Sequence, residues 1–166
     1  MSIGETRIEI PPFMLAGHVL GWAAYGAGWL RGGHIERFAA AVLLSDWALS
    51  SVTFRWYADG VSWGLATQAV VVMAIFVRLA LRSDRWWPIV AAAALVLIVL
   101  VHALTMVASI THPAAVSARV GLWMVVNTAL LAGTAERWLA GEPAVSRGRA
   151  WSRRLPSGGL TPRNGQ

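Results

Sequence analysis

The chain has 166 residues, of which 57% are hydrophobic and only 13% are charged. A soluble domain carries about 25% charged residues, so this composition is typical of a membrane protein. All fourteen basic residues are arginine and most flank apolar stretches, so we attribute the net charge of +6 to membrane topology rather than nucleic-acid binding. Because the chain has no cysteine, disulfides, thiol catalysis and zinc–thiolate sites are excluded.

Five apolar segments are long enough to cross a bilayer, which requires about 17 to 25 mostly apolar residues. In chain order they cover residues 13–30, 37–54, 61–81, 87–110 and 118–139. The links between them are short, and short links favour antiparallel neighbours. The sequence therefore predicts an all-α fold in which residues 1–140 form a polytopic bundle of five transmembrane helices.

The arginine distribution predicts the orientation of this bundle. The side that holds the N-terminus and the second and fourth links has three arginines, and the other side has eleven. Because arginine accumulates in cytoplasmic segments, we expect the N-terminus outside and the C-terminus in the cytoplasm. Aromatic rings that prefer the interface agree, with Trp29, Trp86, Trp87 and Trp138 near the inner boundary and Trp56, Tyr57, Trp63 and Trp123 near the outer one.

Residues 141–166 are rich in glycine, proline, serine and arginine, which predicts a disordered basic tail in the cytoplasm. A flexible tail that reinforces the orientation is the interpretation we favour. The alternative is contact with anionic lipid headgroups, for which the candidates are Arg147, Arg149, Trp151, Arg153 and Arg154.

Each predicted span carries one strongly polar residue at a depth of about 8 to 15 Å from its outer boundary, at 1.5 Å per residue. Polar side chains that face lipid are costly, so we expect these five to turn inward and form one buried network. Asp46 is the most costly and should be protonated or paired, with His18 and His102 as candidate partners. The layer comprises His18, Asp46, Gln68, His102 and Asn127.

This layer has three interpretations. Hydrogen bonds between helices that fix their packing are the one we favour. A pair of Asp46 with a histidine could instead hold or pass a proton. His18 and His102 could also be the axial ligands of a single b-type haem. A metal site of the two histidines with Asp46 is disfavoured, because the sequence has no HxxxH or ExxH motif.

Small residues in the first span predict close helix packing. Gly17 and Gly21 form a GxxxG motif, which Ala24 and Gly28 extend along the same face. Such a face lets another helix approach closely. We favour a packing role inside the bundle over a contact with another protein.

Two links carry the motifs GG-x-x-ER, at Gly32, Gly33, Glu36 and Arg37, and S-x-RWWP, from Ser83 to Pro88. With these two motifs the chain resembles a group of small multi-pass membrane proteins of alphaproteobacteria, and the resemblance covers about the first 140 residues. The resemblance implies an inner-membrane location and brings no activity with it. Physically, Pro88 suits the first turn of a helix, and Glu36 favours the positive end of a helix dipole.

Enzyme motifs are missing, since the sequence has no P-loop, GxSxG, HExxH or acidic metal cluster. We therefore expect a non-enzymatic accessory or structural membrane protein without a cofactor. The alternatives are a small proton- or ion-coupled transport protein and a single-haem electron carrier. The expected partners are the lipid bilayer, with anionic lipids at the cytoplasmic face, and either another membrane protein or a second copy.

Overall fold

The computed structural model describes residues 12–58, 61–108 and 111–142. These residues form five α-helices: α1 (Pro12–Arg31), α2 (His34–Thr53), α3 (Trp63–Arg82), α4 (Trp87–Val107) and α5 (His112–Leu139). Three of them, α3, α4 and the part of α5 from Pro113 to Leu139, are long and apolar enough to cross a membrane. The prediction of a helical bundle with membrane-spanning helices is confirmed to this extent. The five candidate lipid-contact residues of the tail lie outside the described residues.

The helices form a closed ring, in which each helix packs against the next along the chain and α5 returns to α1. A further contact joins α2 to α5 across the ring. Small residues dominate the interior and let the backbones approach closely. The largest buried side chains between them are those of Trp87, Phe76, Leu43, Leu95 and Ile98.

A short antiparallel hairpin connects α2 to α3. Its strands are β1 (Tyr57–Ala58) and β2 (Val61–Ser62), with Tyr57 opposite Ser62 and Ala58 opposite Val61. Residues 61 and 62 were expected to begin the third span, so α3 starts two residues later than predicted, at Trp63. The helix approaches the end of α2 closely there, because a Cβ at Gly64 would overlap the carbonyl of Thr53.

Two helices begin earlier than the sequence predicts. Helix α2 starts at His34 rather than Arg37, because the Glu36 carboxylate accepts the backbone N–H of Gly33 at 2.8 Å and so satisfies a free donor at the helix start. Helix α5 starts at His112 rather than Ala118, because Pro113 occupies its first turn, where a missing N–H costs nothing. Helix α4 ends at Val107, three residues before the predicted boundary.

The two ends of the ring differ in charge. The end formed by the α1–α2 and α3–α4 links and the C-terminus of α5 carries Arg31, Arg37, Arg82, Arg85 and Arg137, and we call it the arginine-rich end. The opposite end carries the hairpin and the α4–α5 link.

Exposed aromatic side chains mark both ends of the bundle. At the arginine-rich end Trp29, Trp86 and Trp138 are exposed, as expected for rings at a membrane interface. Trp56, Tyr57 and Trp63 are exposed at the opposite end. Two of the predicted interface residues differ: Trp87 is fully buried, and Trp123 is half-buried between helices.

Candidate functional site

A groove between α1, α2 and α5, in the half of the bundle away from the arginine-rich end, is the candidate site. Its volume is about 240 Å³. We call it the α1–α2–α5 groove. Three members of the predicted polar layer lie in its wall, namely His18, Asp46 and Asn127. The full lining is Met14, Gly17, His18, Gly21, Trp22, Tyr25, Asp46, Trp47, Ser50, Val120, Trp123, Met124 and Asn127.

Asp46 is tied to the neighbouring helix by Gln68. The amide Nε2 of Gln68 donates to Asp46 Oδ1 and to the backbone carbonyl of Asp46, each at 2.5 Å. The hydroxyl of Thr53 donates to Oε1 of Gln68 at 2.6 Å, so both ends of the amide are used. This chain of bonds holds α2 against α3 and fixes the position of the carboxylate in the groove wall.

Asn127 lies at the floor of the groove, where only 5% of the residue is exposed. Its amide Nδ2 donates to the carbonyl of Trp123, one turn earlier in α5, at 3.0 Å. Its Oδ1 is buried and accepts no hydrogen bond within the part of the chain that the structure describes. A buried acceptor without a donor costs free energy, so this oxygen is a candidate contact for a bound molecule.

His18 is the most exposed polar residue of the predicted layer. Its Nδ1 lies 2.7 Å from the carbonyl of Met14, one turn earlier in α1. Since a carbonyl can only accept, Nδ1 carries the proton, and Nε2 of the neutral ring is an acceptor. The ring is therefore held by its own helix.

Aromatic rings form much of the groove wall, and sequence reasoning missed most of them. The rings of Trp22 and Trp47 meet edge to face, with centroids 5.1 Å apart, and Trp22 meets Tyr25 in the same way at 6.2 Å. Trp22 is 52% exposed and Trp47 is 45% exposed. Both tryptophans lie within the predicted spans rather than at their ends, and this position could have indicated a role other than membrane-interface contact.

His102 has a different neighbour from the one expected. Only 6% of this residue is exposed, and Nη1 of Arg119 donates to its Nδ1 at 3.4 Å. Arg119 was predicted to be the second residue of the fifth span, at its outer boundary, yet it lies two turns inside α5 because that helix begins at His112. The guanidinium also donates from Nε to the carbonyl of Ala115 at 3.3 Å. The missed signal was Pro113, which marks the helix start.

The predicted single layer is thus divided among different places in the bundle. Asp46 is hydrogen-bonded to Gln68. The groove wall that contains Asp46 also contains His18 and Asn127. His102 faces Arg119 between α4 and α5. A haem held by His18 and His102 requires both rings to face one space. The two rings instead have separate surroundings. Within the described ranges, no group of three or more metal-ligating side chains meets.

Gly17, Gly21 and Gly28, the glycines of the predicted small face of α1, lie against other helices of the same chain. A Cβ added at Gly17 would lie 3.7 Å from Val120 of α5, and one at Gly28 would lie 3.3 Å from the Cβ of Ala40 in α2. At Gly21 an added Cβ would lie 3.5 Å from the hydroxyl of Tyr25 and 3.6 Å from Nδ2 of Asn127. The small face of α1 is therefore used within the bundle.

A second polar cluster, which the sequence did not predict, surrounds the fully buried side chain of Glu36 at the arginine-rich end. Besides the N–H of Gly33, the carboxylate accepts the indole N–H of Trp87 at 3.3 Å and pairs with Nη1 of Arg137 at 3.5 Å. We call these four residues the Glu36 cluster. It joins the starts of α2 and α4 to the end of α5.

Ion pairs extend the Glu36 cluster toward the surface. Arg137 also pairs with Glu142 at 3.3 Å, and Nη2 of Arg85 donates to both carboxylate oxygens of Glu142 at 2.7 and 2.9 Å. The indole N–H of Trp86 donates to Glu136 at 2.6 Å. The S-x-RWWP link therefore contacts the C-terminal turn of α5 through Trp86 and the residue Glu142 after that helix through Arg85, whereas Trp87 contacts Glu36 of α2.

Comparison of the chain with models of protein families, with curated proteins and with solved structures gave no match.

Proposed function

We propose that this chain is a five-span protein of the bacterial cytoplasmic membrane, with its N-terminus outside and its arginine-rich end in the cytoplasm. Helices α1 and α2 each have 20 residues, or about 30 Å at 1.5 Å per residue, which matches the apolar thickness of a bilayer. Both helices belong to the same closed ring as the three more apolar helices. Arginines and exposed tryptophans at the arginine-rich end support its cytoplasmic placement.

We further propose that the protein has an accessory or structural role without catalysis, as a subunit of a larger membrane assembly. The observation that carries this proposal is the Glu36 cluster, in which the most buried carboxylate of the bundle is used to join three helices. Gln68 is used in the same way, between α2 and α3. Polar groups that are committed to helix contacts support a structural role over chemistry.

The experiment is purification of the full chain from native membranes in a mild detergent, followed by measurement of the particle mass and composition. A large particle with stoichiometric companion proteins is expected. A lone monomer or small homo-oligomer, with no companion after crosslinking in the membrane, would contradict the accessory role.

A small transport protein is the second candidate, because Asp46 and His18 line the same groove. Proton transfer across a bilayer needs such intramembrane ionisable groups. The test is proton flux into proteoliposomes that contain a pH-sensitive dye. Flux that is lost in Asp46→Asn, while the variant still inserts and melts like the wild type, would support transport. Wild-type flux equal to that of empty vesicles would contradict it.

A further inference from the structure

Among the residues that the structure describes, the carboxylate in the α1–α2–α5 groove has no cationic partner. In the described ranges the ion pairs lie at the arginine-rich end, so none of them involves Asp46. Its Oδ1 accepts one hydrogen bond, from the neutral amide of Gln68. A carboxylate that is partly removed from water is stabilised by a charged partner with donor hydrogens. The groove wall contains no lysine or arginine that could supply one.

Three further polar atoms of the groove wall can accept hydrogen bonds. Oδ1 of Asn127 is buried and has no donor within the described residues. Nε2 of His18 is an acceptor when the ring is neutral, because Nδ1 is used toward Met14. Ser50 directs its hydroxyl hydrogen to the carbonyl of Trp47 at 2.7 Å, which leaves its oxygen to accept. Acceptors of this kind match a ligand that donates hydrogen bonds, and they mismatch an anion.

Aromatic rings surround these acceptors. Trp22, Tyr25, Trp47 and Trp123 all line the groove. A cation within about 6 Å of such a ring is attracted to its face, most strongly by tryptophan. Trp22 and Trp47 are also about half exposed, so an apolar body could reach them from the bilayer. The volume of about 240 Å³ lies below the roughly 300 to 1,000 Å³ of drug-sized sites and suits a small molecule.

We propose that the α1–α2–α5 groove binds a small amphiphilic ammonium ion, a primary or secondary amine on a short apolar body. Its N–H groups are placed between Asp46 and Asn127, and its apolar part lies against Trp22 and Trp47. The amine is either a free molecule or the headgroup of an aminophospholipid, since both present the same ammonium group. This binding role does not depend on the accessory role proposed above.

The test is calorimetric titration of the full chain in a neutral maltoside detergent with 2-phenylethylammonium chloride. The neutral comparison ligand is 2-phenylethanol, which has the same apolar body without the charge. Saturable binding of the amine is expected, with the alcohol at least about tenfold weaker, which corresponds to 1.4 kcal/mol.

The decisive variant is Asp46→Asn, whose Oδ1 can still accept from Gln68 while the charge is removed. It is expected to bind the amine at least about tenfold more weakly than the wild type. The matched control is Glu142→Gln, which removes an exposed carboxylate at the arginine-rich end and should leave amine binding unchanged.

Asn127→Leu supplies a second variant, because it removes the unpaired acceptor at nearly constant shape. It is expected to lose affinity several-fold without a lower melting temperature. Adding phosphatidylethanolamine to the micelles distinguishes the two sources. Competition with the amine identifies a lipid headgroup as the ligand, absence of competition identifies a free amine, and either result supports the ammonium site.

Two results would overturn the proposal. One is the absence of saturable amine binding by the wild type in the millimolar range. The other is a pair of equal affinities: the wild type and Asn127→Leu bind the amine equally, and the wild type binds the amine and the alcohol equally. Neither comparison requires Asp46→Asn to fold.

Discussion

The indole N–H of Trp87 donates to Oε1 of Glu36 at 3.3 Å, although the two residues are 51 positions apart in the chain. Both side chains are fully buried. The contact joins the start of α2 to the start of α4, and the pair of Glu36 with Arg137 adds the end of α5. A buried carboxylate with three donors is stable only while all three remain in place, so this contact links the positions of three helices.

Replacing Glu36 should therefore destabilise the bundle strongly. Glu36→Leu removes the acceptor of the Gly33 N–H and of the Trp87 N–H and one of the two carboxylates that pair with Arg137. We expect the free energy of unfolding to fall by about 3 to 5 kcal/mol. Glu36→Gln keeps one acceptor oxygen and should cost about 1 to 3 kcal/mol. The measurement is reversible unfolding in mixed detergent micelles, followed by circular dichroism.

The control for this pair of variants is Glu142→Gln. Its carboxylate is 41% exposed, and exposed ion pairs contribute only about 0 to 1 kcal/mol. If Glu36→Leu lowered the free energy of unfolding no more than the control does, the Glu36 cluster would not hold the helices together.

Gly133→Ala should also destabilise the protein. A Cβ at this position would overlap the Cδ1 and Cγ atoms of the Trp87 ring, which is fully buried and has no space to move into. Overpacking of this kind costs about 1 to 3 kcal/mol. Gly121→Ala in the same helix is the matched control, because its added Cβ meets nothing within 4 Å. Equal melting temperatures for the two variants would be inconsistent with this packing.

The coupling between Asp46 and Gln68 can be measured by a double-mutant cycle with Asp46→Ala and Gln68→Leu. Hydrogen bonds between membrane helices contribute about 0.6 kcal/mol on average and up to about 1.7 kcal/mol, and we expect a coupling in this range for the bond from Nε2 of Gln68 to Oδ1 of Asp46. The bond from Gln68 to the backbone carbonyl of Asp46 remains in Asp46→Ala, so it does not enter the coupling. The comparison cycle pairs Gln68→Leu with His102→Leu, for which additive effects are expected. A comparable coupling in both cycles would instead support one continuous polar layer.

His18 and His102 should carry opposite tautomers. Nδ1 of His18 donates to the Met14 carbonyl, whereas Nδ1 of His102 accepts from Arg119, because a guanidinium has no acceptor. The expected neutral forms are therefore Nδ1–H for His18 and Nε2–H for His102. Solid-state NMR of ¹⁵N-histidine-labelled protein distinguishes them, with His102→Gln for assignment. An Nδ1–H form at His102 would rule out the contact with Arg119.

Apolar length alone predicted most of the fold. The fourth span was predicted to begin at Trp87, where α4 begins, and the third was predicted within two residues at either end. The start of α5 was predicted six residues too late because the composition of the THPAAVS stretch is typical of a link. Pro113 in this stretch favours the first turn of a helix, and that effect determines where α5 begins. That error placed Arg119 at the outer end of the fifth span and concealed the partner of His102.

Depth along each helix predicted only part of the candidate site. It placed His18, Asp46 and Asn127 at similar levels, and these three line one groove. Depth does not give the direction in which a helix faces, so it could not separate His102 from Asp46. The Glu36 cluster could not be predicted from the sequence for a related reason, since its contacts between helices join residues that are 51 to more than 100 positions apart.

The most direct test of the central claim, that five helices cross the membrane with the arginine-rich end in the cytoplasm, is cysteine accessibility in intact cells. The chain has no cysteine of its own, so each introduced thiol reports only its own position. Three exposed positions suffice: His34 and Asp84 at the arginine-rich end, and Ala58 in the hairpin.

With a membrane-impermeant maleimide, Ala58→Cys should be labelled in intact cells, and His34→Cys and Asp84→Cys should be labelled only after permeabilisation. The position of residue 34 is decisive, because it lies between α1 and α2. If His34→Cys were labelled in intact cells while Asp84→Cys stayed protected, α2 would not cross the membrane, and the five-span account would be wrong.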